Sequence, residues 1–137
     1  MLETLRSAFE HEITSAVHAE KDHDFARAWR HLERAHVLSQ AYAWDHLCVH
    51  ARMFSFAWRR RDVRELLGQL PRLFLAAPGS WTGRAPRGNT GGANGGIFTP
   101  MAIPPDLASL LRAGNEPCEQ SKPENVATAT QRRPRRE

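Results

Sequence analysis

Cysteine is scarce in this 137-residue chain. Cys48 and Cys118 make no metal or redox spacing, and Cys118 falls in a polar C-terminal stretch, so no disulfide framework is expected. Long apolar runs are missing as well. No stretch approaches the roughly 18 apolar residues that cross a bilayer, and "MLETLRSAFEHEI" carries acids where a signal peptide would have a basic and then an apolar segment. A soluble, cytoplasmic protein with no membrane partner is the expectation. A continuous basic face is also lacking. The formal charge of +4 comes mainly from Arg59–Arg61 and the final "RRPRR", so nucleic acid is not an expected partner. Arg59–Arg61 reads instead as a basic cluster favoured by the dipole at a helix C-terminus. "RGNTGGANGG" has no Lys after Gly and no strand before it, which excludes a phosphate-binding loop and leaves an irregular turn.

What the chain does have is helical periodicity. Leu2, Leu5, Phe9, Ile13 and Ala16 predict an amphipathic helix over about 3–20. Asp24 can cap a second over about 24–39, with Phe25, Ala28, Trp29, Leu32 and Ala35 on one stripe. Leu47, Met53, Phe54, Ala57 and Trp58 predict a third over about 43–60, and Asp62 can cap a fourth from Val63. Short turns make these antiparallel neighbours. Pro71 cannot donate to the Leu67 carbonyl, so a kink or break is expected in the fourth helix. From Pro78 the text is dense in Gly and Pro and reads as coil. Phe98, Met101, Ile103 and a short helix over about 105–112 can fold back onto the bundle. The fold class is therefore all-α, a small antiparallel bundle of about four helices with a Gly/Pro-rich extension. Its parts are a bundle over 1–77, the extension over 78–112 and a disordered polar tail over 113–137. "AWRHLERA" also fits tetratricopeptide-type hairpins loosely, but no second copy stands at the roughly 34-residue period.

Polar residues on the apolar stripes are the candidate site. His36 falls between Phe25, Leu32 and Trp29, with Glu33 on the flank, forming E-x-x-H. His46 and His50 share the face of Met53 and Ala57, forming H-x-x-x-H. Glu12 sits between Leu5, Phe9 and Ala16. Counting residues from the two turns brings Glu12, Glu33, His36, His46 and His50 to one layer. Buried carboxylates and imidazoles need mutual compensation. A divalent transition metal such as Zn, Fe, Ni or Cu supplies it, because it binds neutral imidazole and carboxylate together. The competing account is a network in which the two glutamates pair with protonated histidines. A second E-x-x-H in the same layer is absent, so one metal is expected rather than two. His11, His18 and His31 fall off the stripes, and Cys48 points away from the histidines.

With "AWRHLERAHVLSQ", "WRRRDVRELLGQL", "LAAPGSWTGRAPRGNTGGAN" and "PMAIPPDLASLL" in order, the chain resembles the bacterial domain-of-unknown-function family 3703 over about residues 5–112. The resemblance implies a small helical protein. It also implies a link to metals by association only, since relatives are often encoded beside heavy-metal or metalloid resistance functions. It implies no activity and no ligand assignment. Pro71 and "NGGIF" depart from the family text. The expected function is accessory metal binding, meaning buffering, sensing or delivery of one divalent ion, with a protein partner in a delivery role. The alternatives are a helical-hairpin interaction module without metal and, third, a metal-dependent enzyme.

Overall fold

The computed structural model describes residues 1–82, 88–97 and 99–113. Five helices and no strand are found among them: α1 (Glu3–Lys21), α2 (Phe25–Ser39), α3 (Ala43–Arg60), α4 (Val63–Trp81) and α5 (Pro105–Ala113). The protein is an all-α bundle, as the apolar periodicities predict. Phe98, Cys118 and the tail beyond Ala113 lie outside the described residues.

Two hairpins share one turn. After α1, His23 takes the left-handed conformation (φ 59°), its N–H bonds the Glu20 carbonyl, and the Asp24 N–H reaches back to Ala19 at 2.9 Å. After α3, Arg61 is left-handed (φ 55°), its N–H bonds Trp58, and the Asp62 N–H reaches Ala57 at 2.9 Å. Both are Schellman closures that satisfy the last helix carbonyls. Each turn then hands over to an aspartate N-cap: Asp24 accepts the Arg27 N–H at 3.0 Å and Asp62 the Glu65 N–H at 3.1 Å. Asp24 and Asp62 stand 38 residues apart. The hairpin therefore repeats with a period of 38 rather than 34, and its turn chemistry marks the repeat most plainly.

Leu5, Phe9, Ala16 and Ala19 of α1 close on Ala28, Leu32, Ala35 and Leu38 of α2, while Val49, Met53 and Phe56 of α3 complete the core. Ile103 packs against this core and Leu107 of α5 is fully buried in it; Met101, expected to join them, is exposed. Bidentate ion pairs brace α1 to α3 at both ends: Arg6 with Asp45 (2.9 and 3.0 Å) and Arg59 with Glu20 (2.7 and 2.9 Å). Arg60 lies over the Phe25 ring at 3.7 Å, so the arginine run ties the hairpins together as well as ending α3.

The fourth helix corrects the expected break. α4 runs through Gly68 and Pro71 and on to Trp81, so helix replaces the coil expected from Pro78. Pro71 is tolerated because its ring lies on an exposed side of the helix, where water can take the Leu67 carbonyl that loses its partner. The Gly68 carbonyl gains a side-chain donor, Arg72 Nη1 at 2.7 Å.

A candidate metal centre of three histidines

His36 comes from the last turn of α2, and His46 and His50 from successive turns of α3. All three are buried, with 2–5 % of their surface exposed. Their Nε2 atoms converge: His46 lies 2.8 Å and His50 3.1 Å from His36 Nε2. Among the described residues this is the one cluster whose potential ligand atoms all lie within 4.8 Å of one another.

The surroundings fix the proton on the far side of two rings. His36 Nδ1 lies 2.8 Å from the Asn89 backbone carbonyl, which can only accept, so Nδ1 carries the hydrogen. His50 Nδ1 lies 2.8 Å from Gln69 Oε1. The Gln69 amide cannot be reversed, because its Nε2 donates to the Gly91 carbonyl at 2.8 Å. His50 therefore also carries its hydrogen on Nδ1. Two lone pairs then face each other at 3.1 Å, and His46 has one Nε2–H at most to offer between them. Burial, then the neighbouring His50 and His46 rings, hold the His36 pKa well below its usual value. Burial likewise lowers that of His50, to about 4. His36 and His50 are thus neutral near pH 7, and the single Nε2–H that His46 can offer does not relieve the crowding of both lone pairs. A metal ion would: imidazole nitrogens bound at about 2.0–2.1 Å stand about 3.0–3.4 Å apart at angles between octahedral and tetrahedral, close to the 2.8 and 3.1 Å seen here. Nδ1–H bonds to carbonyl oxygens are also the usual way a protein orients its metal-binding histidines.

The Gly-rich segment closes over this centre, correcting its reading as a plain irregular turn. Gly91 has φ +81°, and a Cβ there would stand 2.8 Å from the His36 ring, so only glycine lets the backbone approach. Three residues of α4 at successive turns hold the segment down. Glu65 accepts the Ala93 N–H at 2.9 and 3.1 Å, Gln69 binds Gly91, and Arg72 donates to the Gly92 and Gly95 carbonyls at 3.1 and 2.6 Å. From the other side Gln40 accepts the Gly88 N–H at 3.0 Å and donates to the Asn89 carbonyl at 2.9 Å.

Of the five residues expected in one layer, the structure brings together His36, His46 and His50 and leaves out Glu12 and Glu33. Glu12 is spent within the first hairpin: Oε2 meets His31 Nδ1 at 2.6 Å and Oε1 accepts Arg34 Nε at 2.7 Å. It faces a different side of α2 from His36. His31, expected off the apolar stripes, is its partner. Glu33 bonds Trp29 and Thr90, and burial raises its pKa; its Oε1 would lie 3.3 Å from a Cβ at Gly92, at the edge of the closing segment. Cys48 is partly buried and outside the cluster. Sequence reasoning missed Gln69, Asn89 and Gly91. Gln69 did leave a signal, since Glu65, Gln69 and Arg72 form a polar i, i+4, i+7 stripe inside an otherwise leucine-rich helix.

Residues 3–111 match the family described as protein of unknown function, DUF3703. The chain belongs to that family. No curated protein and no solved structure matches it. The DUF3703 description assigns no chemistry, so the histidine geometry carries the functional reading. Among the described residues no helix is long and apolar enough to cross a membrane.

Proposed function

We propose that this protein holds one divalent transition-metal ion through Nε2 of His36, His46 and His50 and acts as an accessory metal-binding protein in buffering, sensing or delivery. The observation that carries this reading is the pair of Nδ1–H anchors, Asn89 O and Gln69 Oε1, which turn two neutral, buried imidazoles so that their lone pairs meet at 3.1 Å beside a third. Zn, Co, Ni, Cu and Fe all accept nitrogen donors of this kind. Glu33 and Glu12 stand outside the ligand set, so the bound ion keeps its charge largely uncompensated by protein. An exogenous anion or water then completes its coordination. Deep burial beneath the Gly-rich segment suits holding an ion better than turning over a substrate.

The test is uptake by untagged protein. One equivalent of Zn or Co is expected to bind and to raise the thermal midpoint, and with Co the visible spectrum reports nitrogen ligation. If none of Zn, Cu, Ni, Co or Fe binds, the reading fails.

A further inference from the structure

α4 is built inside out. Toward the bundle it turns Glu65, Gln69 and Arg72, all buried; toward solvent it turns Val63, Leu67, Leu70 and Phe74, which are 64, 62, 42 and 79 % exposed. The hairpin repeat shows what such a face is for. Thirty-eight residues earlier the same positions are Phe25, Trp29, Leu32 and His36 of α2, and α3 covers them. Phe25 and Trp29 pack on Phe56 with ring centroids 6.4 and 5.7 Å apart, and His36 meets His46 and His50. Of the helices, α4 packs against α3 alone, and among the described residues no third hairpin covers its outer face.

We propose that this face is covered by α4 of a second copy of the chain, antiparallel in a two-fold symmetric dimer. The spacing of 63, 67, 70 and 74 alternates four and three, the seam of a two-helix contact. An axis between Leu67 and Leu70 sets each end of the stripe against the other end of its copy. Complete burial of this stripe together with Trp58, 68 % exposed at the end of α3, would remove roughly 600 Å² per chain, about 1,200 Å² for two copies, the lower edge of the range for stable interfaces. Charge sets the direction. Arg61 and Arg64 flank the N-terminal end of the stripe, and antiparallel pairing separates the two pairs by about 16 Å of helix, where parallel pairing would oppose them. Head-to-tail stacking finds no apolar mate. The α1 positions equivalent to the α2-facing residues His46, Val49, Met53 and Phe56 are Ala8, His11, Ser15 and His18, of which His11 and His18 are exposed. Two α4 faces satisfy each other and close the assembly.

Sedimentation velocity on the full chain, without added metal, tests this independently of the metal reading. The wild type is expected to be a dimer at tens of micromolar. Leu67→Glu and Phe74→Glu should each raise the dissociation constant at least tenfold with an unchanged helical circular dichroism spectrum. Leu67→Gln, which adds no charge, replaces either variant that fails to fold. A wild type that stays monomeric at several hundred micromolar overturns the proposal, as does a dimer indifferent to these substitutions. The arginine pair beside an apolar stripe would also suit an anionic membrane surface, so the wild type is floated with phosphatidylserine vesicles. A monomer that binds them, and loses binding on Leu67→Glu, assigns the face to lipid and overturns the dimer.

Discussion

The two hairpins close on the same turn in the same register and use their interiors differently. Glu12 of α1 opposes His31 of α2; 38 residues later His50 of α3 opposes Gln69 of α4. In the first pair both carboxylate oxygens are consumed inside the hairpin, by His31 and Arg34, and Arg34 passes the charge on to Asp106 of α5 at 2.6 Å. That pair is complete. In the second, a neutral glutamine engages one side of an imidazole and leaves the other with an unused lone pair aimed between α2 and α3. A shared backbone position thus yields an ion pair when it holds a carboxylate and an aimed ring lone pair when it holds histidine.

The comparison is sharpened most by removing the aimed nitrogens. His46→Ala or His50→Ala should weaken Zn binding by about a thousandfold, roughly 4 kcal/mol, measured by competition with a chromophoric chelator. Glu12→Gln should change affinity less than about twofold, because Glu12 spends its oxygens elsewhere. Equal losses in both sets would mean that the hairpins are not functionally distinct. Metal-free protein also separates them by pH. His50 is held neutral by burial, with its pKa near 4 against an ordinary 6.5, so the unfolded chain binds more protons than the folded one between those values. Its contribution is fully present above about pH 6.5 and is lost as the pH falls toward 4, a change of about 3 kcal/mol at most. Urea melts of wild type and His50→Gln across that window check it, and parallel pH profiles would refute the assignment.

Closure over the centre gives the next effect. Gly91→Ala places a methyl within 2.8 Å of His36 at a left-handed φ of 81°, which should cost about 2 kcal/mol of stability and about tenfold in metal affinity. Gln69→Leu leaves the His50 Nδ1–H unanswered and should lower affinity 10- to 100-fold, within about the range seen for outer-shell partners. The comparable change in the first hairpin, His31→Ala, should leave metal binding intact.

How legible this was in the sequence depends on what kind of signal each part leaves. Helices α1 to α3 follow from apolar spacing, with the Asp24 cap marking the start of α2, and the observed bounds of these three and of α5 fall within a residue or two of the expected ones. His36, His46 and His50 were findable because a histidine on an apolar stripe breaks the pattern, and counting from the turns puts them level. Glu12 broke its stripe in the same way, but level along a bundle does not fix direction around each helix, and its partners His31 and Arg34 looked like surface residues. The course of α4 through Pro71 could not be read locally, because what holds that helix is the segment around Gly91, some twenty residues further on. Gly91 itself looked like any loop glycine, since its constraint comes from a ring that the fold brings against it.

The smallest expected effect tests whether the first hairpin's pair is structural alone. Glu12 is buried and accepts from both His31 and Arg34, whereas those two side chains keep 20 and 33 % exposure, so water can replace much of what either supplies. Removing one donor should therefore cost little: His31→Ala is expected to lower stability by about 1 kcal/mol, because Arg34 still satisfies the carboxylate. Glu12→Gln removes the charge and leaves Arg34 facing an amide, and should cost about the same or slightly more. Neither substitution touches an atom of the histidine cluster, so Zn affinity should stay within about twofold of wild type in both, and urea melts without metal should shift as much as melts with it. A double variant that loses much less than the sum of the two would show that the pair acts as one unit. If instead His31→Ala abolished metal uptake while the protein remained folded, the two hairpins would share one site after all, and the division drawn from their equivalent positions would fall.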